Sequence, residues 1–311
     1  MKELSFVVTV YNKKDYIQTC VESLIIHADH NYTFEIIIID DGSTDGSSKI
    51  IDDLCVQHPS IRAIHQENQG LSAARNNGIS IAQGDYIWFI DADDTITKDC
   101  ISKDCFYKCP DILVLQSSFT NSTETRNKVD LSITKGRDVL SDKHWCPCVP
   151  FYIFKRQFLL NNNLCFVKGI FHEDSEFTPR ALYLAKLIRV IDKPLYIVSP
   201  APGSITRTVG NYKRSKDVII VARSLEKFIN DHQLNSHDST IFNTIISRTI
   251  NSGLRNALKC SAKDQSDFNN LLSKNRHLLT AYWKSNSLKY KIEFVLFSIF
   301  KNYVKIYKLF K

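Results

Sequence analysis

The stretch Ile36-Ile37-Ile38-Ile39-Asp40-Asp41-Gly42-Ser43 changes character in one step, from four β-branched apolar residues to a polar turn. An unbroken apolar run of that length suits a strand buried on both faces, and the turn residues open a loop at its carboxyl end. The same layout recurs on either side. Phe6–Val10 is apolar and runs into Tyr11-Asn12-Lys13-Lys14, and Tyr86–Ile90 runs into Asp91-Ala92-Asp93-Asp94. Between these runs, Ile17, Val21, Leu24 and Ile25 recur at helical spacing. A second helical set, Ile50, Ile51 and Leu54, follows the N-cap candidates Ser43, Thr44 and Asp45. Ile61–Ile64 adds a short strand and Leu71–Gln83 a further helix. Four strand–helix alternations predict an α/β fold with a mostly parallel sheet, whose ligands bind beyond the carboxyl ends of the strands. The loops after Val10, Ile39 and Ile90 all leave from that edge.

Beyond Asp94 the pattern loosens. Ile112–Leu115, Phe151–Phe154 and Leu187–Ile191 read as strands, with a helix around Phe177–Leu184. The polar stretch Gln116–Asp142 reads as a hairpin and acceptor-facing loop. From about Lys213 the pattern is helical throughout, so a boundary is expected between residues 205 and 215. The predicted organisation is an α/β domain over 1–210, in two halves (1–95 and 96–210), then a helical region over 211–311.

The 311 residues carry a formal charge of +7, unevenly placed. Residues 274–311 hold nine Lys/Arg against one Glu, which leaves 31 bases and 32 acids on the rest. A nucleic-acid groove across the main body is therefore disfavoured, and an anionic membrane surface is the better partner for the tail. No signal-peptide pattern follows Met1, and Phe294–Phe300 is bounded by Glu293 and Lys301, too short to span a bilayer. The expected location is the cytoplasm, peripheral on the inner face of the cell membrane if the tail binds lipid. Nine cysteines, an odd count in a chain this long, read as reduced thiols; Cys146-Pro147-Cys148 lacks the matching half of a zinc site.

Asp40, Asp41, Asp91 and Asp93 fall at the ends of buried strands, where uncompensated negative charge is costly. Something cationic is expected among them. Hard oxygen donors in an open cluster suit Mg²⁺ or Mn²⁺ shared with a diphosphate. The plain alternative is that both acidic clusters are turn and helix-capping residues.

These residues resemble a family. Phe6-Val-Val-Thr-Val-Tyr-Asn12, Ile39-Asp-Asp-Gly-Ser-Thr-Asp45, Gln66-Glu-Asn-Gln-Gly-Leu-Ser-Ala-Ala-Arg-Asn-Asn-Gly78 and Phe89-Ile-Asp-Ala-Asp-Asp94 are similar, in order and spacing, to family-2 inverting glycosyltransferases of the GT-A fold. That resemblance implies a Rossmann-like sheet and a nucleotide-sugar donor, most often a UDP-sugar. Thr9, Tyr11 and Asp40 or Asp41 would hold the base and Arg75 the ribose or diphosphate. Asp91 would lie near the ribose and Asp93 would bind the metal. For Arg75 the alternative is a solvated helix charge.

The likeness continues more weakly through Phe171-His-Glu-Asp-Ser-Glu-Phe177 and Pro202-Gly-Ser-Ile-Thr206. It implies Asp174, in the Glu173-Asp174 pair, as the base that takes the acceptor's proton, with His172 as a companion at the acceptor; Asp94 is a supporting or capping residue of the Asp-x-Asp. The alternative makes Glu173 and Asp174 first-turn helix acids and His172 a surface histidine. Arginines common in the family before Gly-Ser-Ile-Thr are missing; Arg207, Lys213 or Arg214 are the candidates to replace them. The implied acceptor is a saccharide or lipid-linked glycan of bacterial surface polysaccharide or lipopolysaccharide.

On a single helix over Leu288–Lys311, Lys301, Lys305 and Lys308 would share one face and Phe300, Tyr303, Val304, Tyr307 and Phe310 another, as in a helix lying in a lipid interface. The alternative is a helix docked on the protein. Two other function classes compete. Trp88–Thr95 fits the opening of haloacid-dehalogenase-like phosphatases, but three strand–helix units precede it; a non-catalytic sugar-nucleotide scaffold would not need Asp93 and Asp174. Dinucleotide oxidoreduction is disfavoured because no GxGxxG follows the first strand.

Overall fold

The computed structural model describes residues 3–27, 33–97, 101–119, 125–199 and 210–310. Two compact units emerge, Met1–Gly169 with Ala181–Pro202, and Ile170–Arg180 with Gly203–Lys311.

The first unit begins β1 (Leu4–Val10), α1 (Ile17–His27), β2 (Phe34–Asp40), α2 (Ser47–Gln57), β3 (Ile61–His65), α3 (Leu71–Ile81) and β4 (Tyr86–Asp91). Every residue of β1 is buried, as is β2 from Glu35 onward, which is the placement their unbroken apolar runs require. β3, β2, β1 and β4 lie side by side, all parallel, with Thr9 between Ile39 and Asp91. The chain steps outward from β1 to β3 and then returns to the other side of β1. The β1/β4 boundary is therefore a topological switch point, where a crevice opens at the carboxyl ends of the strands.

The sheet continues through β5 (Thr95–Ile96), β6 (Ile112–Phe119), β7 (Thr125–Arg126), α4 (Gly136–Val139), β8 (Tyr152–Lys155), α5 (Arg156–Asn161), α6 (Glu173–Leu184) and β9 (Ile188–Val198). β8 is antiparallel to both β4 and β6, and β9 is parallel to β6. β6 and β7 form the hairpin expected in the polar stretch. The fold is thus α/β with a mostly parallel core sheet. One detail differs from expectation: the N-cap of α2 is Gly46 at φ 98°, and Asp45 accepts from Ser47 N–H from one residue upstream.

The second unit is helical, with α7 (Tyr212–Asp231), α8 (Ser236–Ala257), α9 (Ala262–Lys274), α10 (Thr280–Lys284), α11 (Leu288–Ile299) and α12 (Tyr303–Tyr307). The single amphipathic helix expected over the tail does not form. It breaks after Ile299; Ser287 caps α11 and Asn302 caps α12. Tyr303, Val304 and Tyr307, assigned above to a lipid-facing side, are buried where α12 packs on α8 and α9. Burying such side chains against protein is worth about 1.5–3 kcal/mol each, which is why that face docks. Among the described residues no helix is long and apolar enough to cross a membrane.

α3 lies against β1 at Gly78, where a methyl group would run into the fully buried Val7 side chain. Gly78→Ala gains up to about 1 kcal/mol in helix propensity. Overpacking outweighs it, and urea unfolding will give a net loss of about 1–3 kcal/mol. Val7→Ala in the same chain will make the pair cost less than the sum of the singles.

Candidate active site

The loop after β1 and the loop after β2 are stitched together. Asn12 stands in the left-handed region at φ 52°, its N–H donating to Ser43 Oγ (3.0 Å) and its Oδ1 accepting from Thr44 N–H (2.8 Å). Lys13 N–H donates to Ser47 Oγ at 3.0 Å. Gly42, at φ 76°, has no room for a side chain, since a Cβ would lie 2.9 Å from Asn68 N. The Asp-Asp-Gly-Ser turn therefore has its glycine for steric reasons.

Asp40 and Asp41 are both buried and both engaged. Asp40 accepts from Ser43 N–H, Ser48 Oγ and His65 Nδ1, the last at 2.8 Å. Burial alone would raise its pKa, but these bonds together hold the carboxyl below its ordinary range. Asp41 accepts from Gln66 Nε2 (2.6 Å), Gln69 N–H and Gly70 N–H, so it fixes the start of α3. Thr9 sits at the end of β1, buried, and Tyr11 beyond it exposes half of its side chain.

At the end of β4, Arg75 reaches from α3 to Asp91 (Nη2 to Oδ1, 3.1 Å) and lies over the Phe166 ring. Arg75 is 1% exposed, so the solvated-charge alternative is wrong. Lys13 reaches from the β1 loop to Asp93, Nζ to Oδ2, at 2.6 Å. Asp94 turns inward, where it accepts from Tyr196 Oη (2.8 Å) and Ser199 N–H (2.7 Å). Burial first, and then the charge of Asp91, push its pKa up to about 8. The three acids thus divide into two ion-paired carboxylates at the strand ends and one buried carboxyl, its pKa pushed up to about 8, that ties β9 beneath them.

Some of these partners were not singled out from sequence. The cation expected among the carboxylates is supplied, in this structure, by Lys13 and Arg75. Lys13 had a signal, being a lysine in a loop at the acidic edge. His65, Gln66 and Tyr196 had none, because their roles depend on sheet register.

The second unit holds the other candidate residues. Asp174 and Glu173 lie in the first turn of α6 with Glu176. Glu176 is fully buried, paired with Arg180 (2.7 Å) and accepting from Ser224 Oγ (2.6 Å). His172, at φ 65°, is not a surface histidine: its Nε2 meets the Arg214 carbonyl at 3.1 Å, and burial lowers its pKa. Lys213 and Arg214 open α7 over the Phe171 ring. Arg207 and Pro202–Thr206 lie outside the described residues.

An open, mostly parallel sheet with ion-paired carboxylates at its switch point, and an Asp-x-Asp at the end of the fourth strand, together form the architecture of the GT-A class of sugar transferase. Asp91 stands on that fourth strand, where the phosphatase reading needs the first of its domain. A family model described as glycosyl transferase family 2 matches residues 5–133. The uncharacterized glycosyltransferase YibD of Escherichia coli (strain K12) is 31% identical over 245 residues, covering 72% of this chain and 70% of the relative. The chain belongs to glycosyltransferase family 2. Among solved structures, S. aureus TarS 1-349 in complex with UDP-GlcNAc matches with a TM-score of 0.78 at 20% identity, covering 98% of this chain and 89% of that one. The mannosyltransferase PcManGT of Pyrobaculum calidifontis, in complex with GDP-Man and Mn²⁺, matches at 0.54 and 14% identity, covering 99% and 86%.

The His65–Asp40 contact makes one loop pH-sensitive. Hydrogen bonding to Asp40, then to Asp52, raises the His65 pKa in the folded state. The contact therefore stabilises fully below the unfolded value of about 6.5 and is lost as pH rises through the folded one. The side chain is 42% exposed, so the effect is small. Relative to His65→Gln, the wild type will lose up to about 1 kcal/mol in urea unfolding between about pH 6 and about pH 8.5. Parallel profiles would exclude the effect.

Proposed function

We propose that this glycosyltransferase moves a sugar from a UDP-sugar to a saccharide or lipid-linked glycan by a single inverting displacement assisted by Mg²⁺ or Mn²⁺. The observation that carries it is the pair of ion pairs, Lys13–Asp93 and Arg75–Asp91, at the switch point. Thr9, Tyr11 and Asp40 or Asp41 hold the base, with the half-exposed Tyr11 ring at the mouth. Arg75 fixes the ribose end through Asp91. Asp94 supports both from below.

Among the described residues no three or more His, Cys, Asp or Glu side chains form a metal cage. The donor set still fits an ion of this kind, because Asp93 offers a hard carboxylate beside open crevice and a diphosphate with water completes the shell. When bound, the ion neutralises charge on the departing diphosphate. Lys13 and Arg75 add two fixed cations at the same edge.

Asp174 takes the proton of the acceptor hydroxyl as its oxygen bonds to the anomeric carbon and the bond to the diphosphate breaks. Glu176 is occupied by Arg180 and Ser224, and Asp174 and Glu173 stand in the same first turn of α6; His172 and, by its place in the sequence, Arg207 are the candidates to contact the acceptor or phosphate. The acceptor belongs to surface polysaccharide or lipopolysaccharide assembly, and the protein works in the cytoplasm, peripheral on the inner face of the membrane. The +8 balance of residues 274–311 supports that placement.

UDP with Mn²⁺ will raise the melting temperature, and Asp93→Asn will remove most of the metal-dependent part. In a UDP-release assay with glycan acceptors, Asp174→Asn will lower turnover about 10²- to 10⁴-fold and leave the UDP-induced shift intact. Absence of any nucleotide-induced shift sinks the donor site. Unchanged turnover in Asp174→Asn sinks the assignment of the base.

A further inference from the structure

The second unit carries an apolar stripe that stands exposed among the described residues. Leu288, Ile292, Val295 and Ile299 recur every three or four residues along α11 and are 73%, 46%, 46% and 65% exposed. They line one side of the helix over about 16 Å. The opposite side carries Glu293 and Phe297, both buried, so α11 is held by that side and presents the stripe outward. Scattered exposed aliphatics are ordinary, but four in line on one helix face mark an interaction surface.

Charge selects the occupant. Lys289 and Lys291 flank the stripe, and Lys284 and Lys301 stand just before and just after α11. The sole acidic side chain in residues 274–311 is Glu293, which is fully buried, hydrogen-bonded to Asn251 and 3.9 Å from Lys289 Nζ, so no exposed acid offsets the other lysines. Trp283, 56% exposed, lies beside Phe294 with the Lys291 ammonium 6.0 Å from its ring centre, the amphipathic arrangement that favours a lipid headgroup boundary. Two copies meeting face to face would juxtapose like charges, which disfavours self-association through this surface.

We infer that the outer face of α11, with Trp283 and its flanking lysines, is an anionic-membrane docking surface. The helix lies in the plane of the leaflet with the aliphatic stripe among the acyl chains and the lysines at the phosphates. This deepens the peripheral placement proposed above and moves it from the α12 residues, which are buried, to α11. It rests on that placement alone, since lipid binding is read without any sugar donor.

The test uses the full chain in flotation with phosphatidylcholine vesicles, with and without about one-third phosphatidylglycerol. The wild type will bind the anionic vesicles and leave the neutral ones. Ile292→Ser with Val295→Ser, at exposed positions that leave the melting temperature unchanged, will lower the bound fraction at least tenfold, as will Lys284→Gln with Lys291→Gln, which leaves the Lys289 pair to the buried Glu293 in place. Lys305→Gln with Lys308→Gln removes equal charge from α12 and will change binding less than threefold. Equal losses from both lysine pairs would mean diffuse charge attraction and overturn the surface. So would binding unaffected by the Ser pair, no anionic binding at all, or a wild-type dimer in light scattering that the Ser pair dissociates. A nucleotide-induced thermal shift that survives any of these failures keeps the donor reading separate.

Discussion

Five carboxylates at the carboxyl ends of buried parallel strands cannot stand there uncompensated, since each unpaired buried charge costs several kcal/mol. The five are met in three ways. Asp40 and Asp41 take neutral donors and one histidine, and in doing so they shape the loops after β2 and β3. Asp91 and Asp93 take cations from α3 and from the β1 loop. Asp94 takes a tyrosine hydroxyl and a backbone N–H, and burial pushes its pKa up to about 8. The loops at this edge are ordered because they carry the compensating groups.

The compensation has a consequence for ligands. With Asp91 and Asp93 ion-paired and burial pushing Asp94 toward its neutral form, the β4 end presents less negative charge to an incoming diphosphate than three free carboxylates would. A free row of three carboxylates would repel one, by about 1 kcal/mol per charge pair at 4 Å even in bulk water and several-fold more in a crevice. In the proposed function, a ligand that brought its own divalent cation would exchange one partner of Asp93 for another and leave the Lys13 ammonium beside the phosphates.

The four parallel strands were legible because each is an unbroken apolar run ending in a polar turn, and the pattern places Asp40, Asp91 and the β1 loop on one edge without any knowledge of register. That a cation must lie among the acids was legible from charge alone. Its identity was not: Lys13 and Arg75 are close to Asp93 and Asp91 only because β1 pairs with β4 and α3 packs over them. The Asp45 capping contact was misplaced by one residue because Gly46 adopts a left-handed backbone that no pattern of apolar residues reports. Glu35, fully buried with Ser5, Arg62 and Gln83 N–H, shows the same limit at the start of β2. A lone Glu heading an apolar run gives no sign of its partners.

The tail misled for an energetic reason. Helical periodicity drawn through residues 288–311 assumes one unbroken helix, yet Asn302 caps a new helix by accepting from Lys305 N–H. A cap is worth about 1 kcal/mol, and the burial of Tyr303, Val304, Ile306 and Tyr307 that follows the break is worth several times more. Against that, each lysine near an anionic leaflet contributes only about 1 kcal/mol. The α12 aromatics therefore go to the protein. α11 is bound by a different constraint: with Glu293 hydrogen-bonded to Asn251 and Phe297 in the core, 3.6 residues per turn force Leu288, Ile292, Val295 and Ile299 to the far side. No rotation of the helix buries both sets. The apolar surface left over in water is thus a direct cost of anchoring Glu293 and Phe297, and a leaflet removes it.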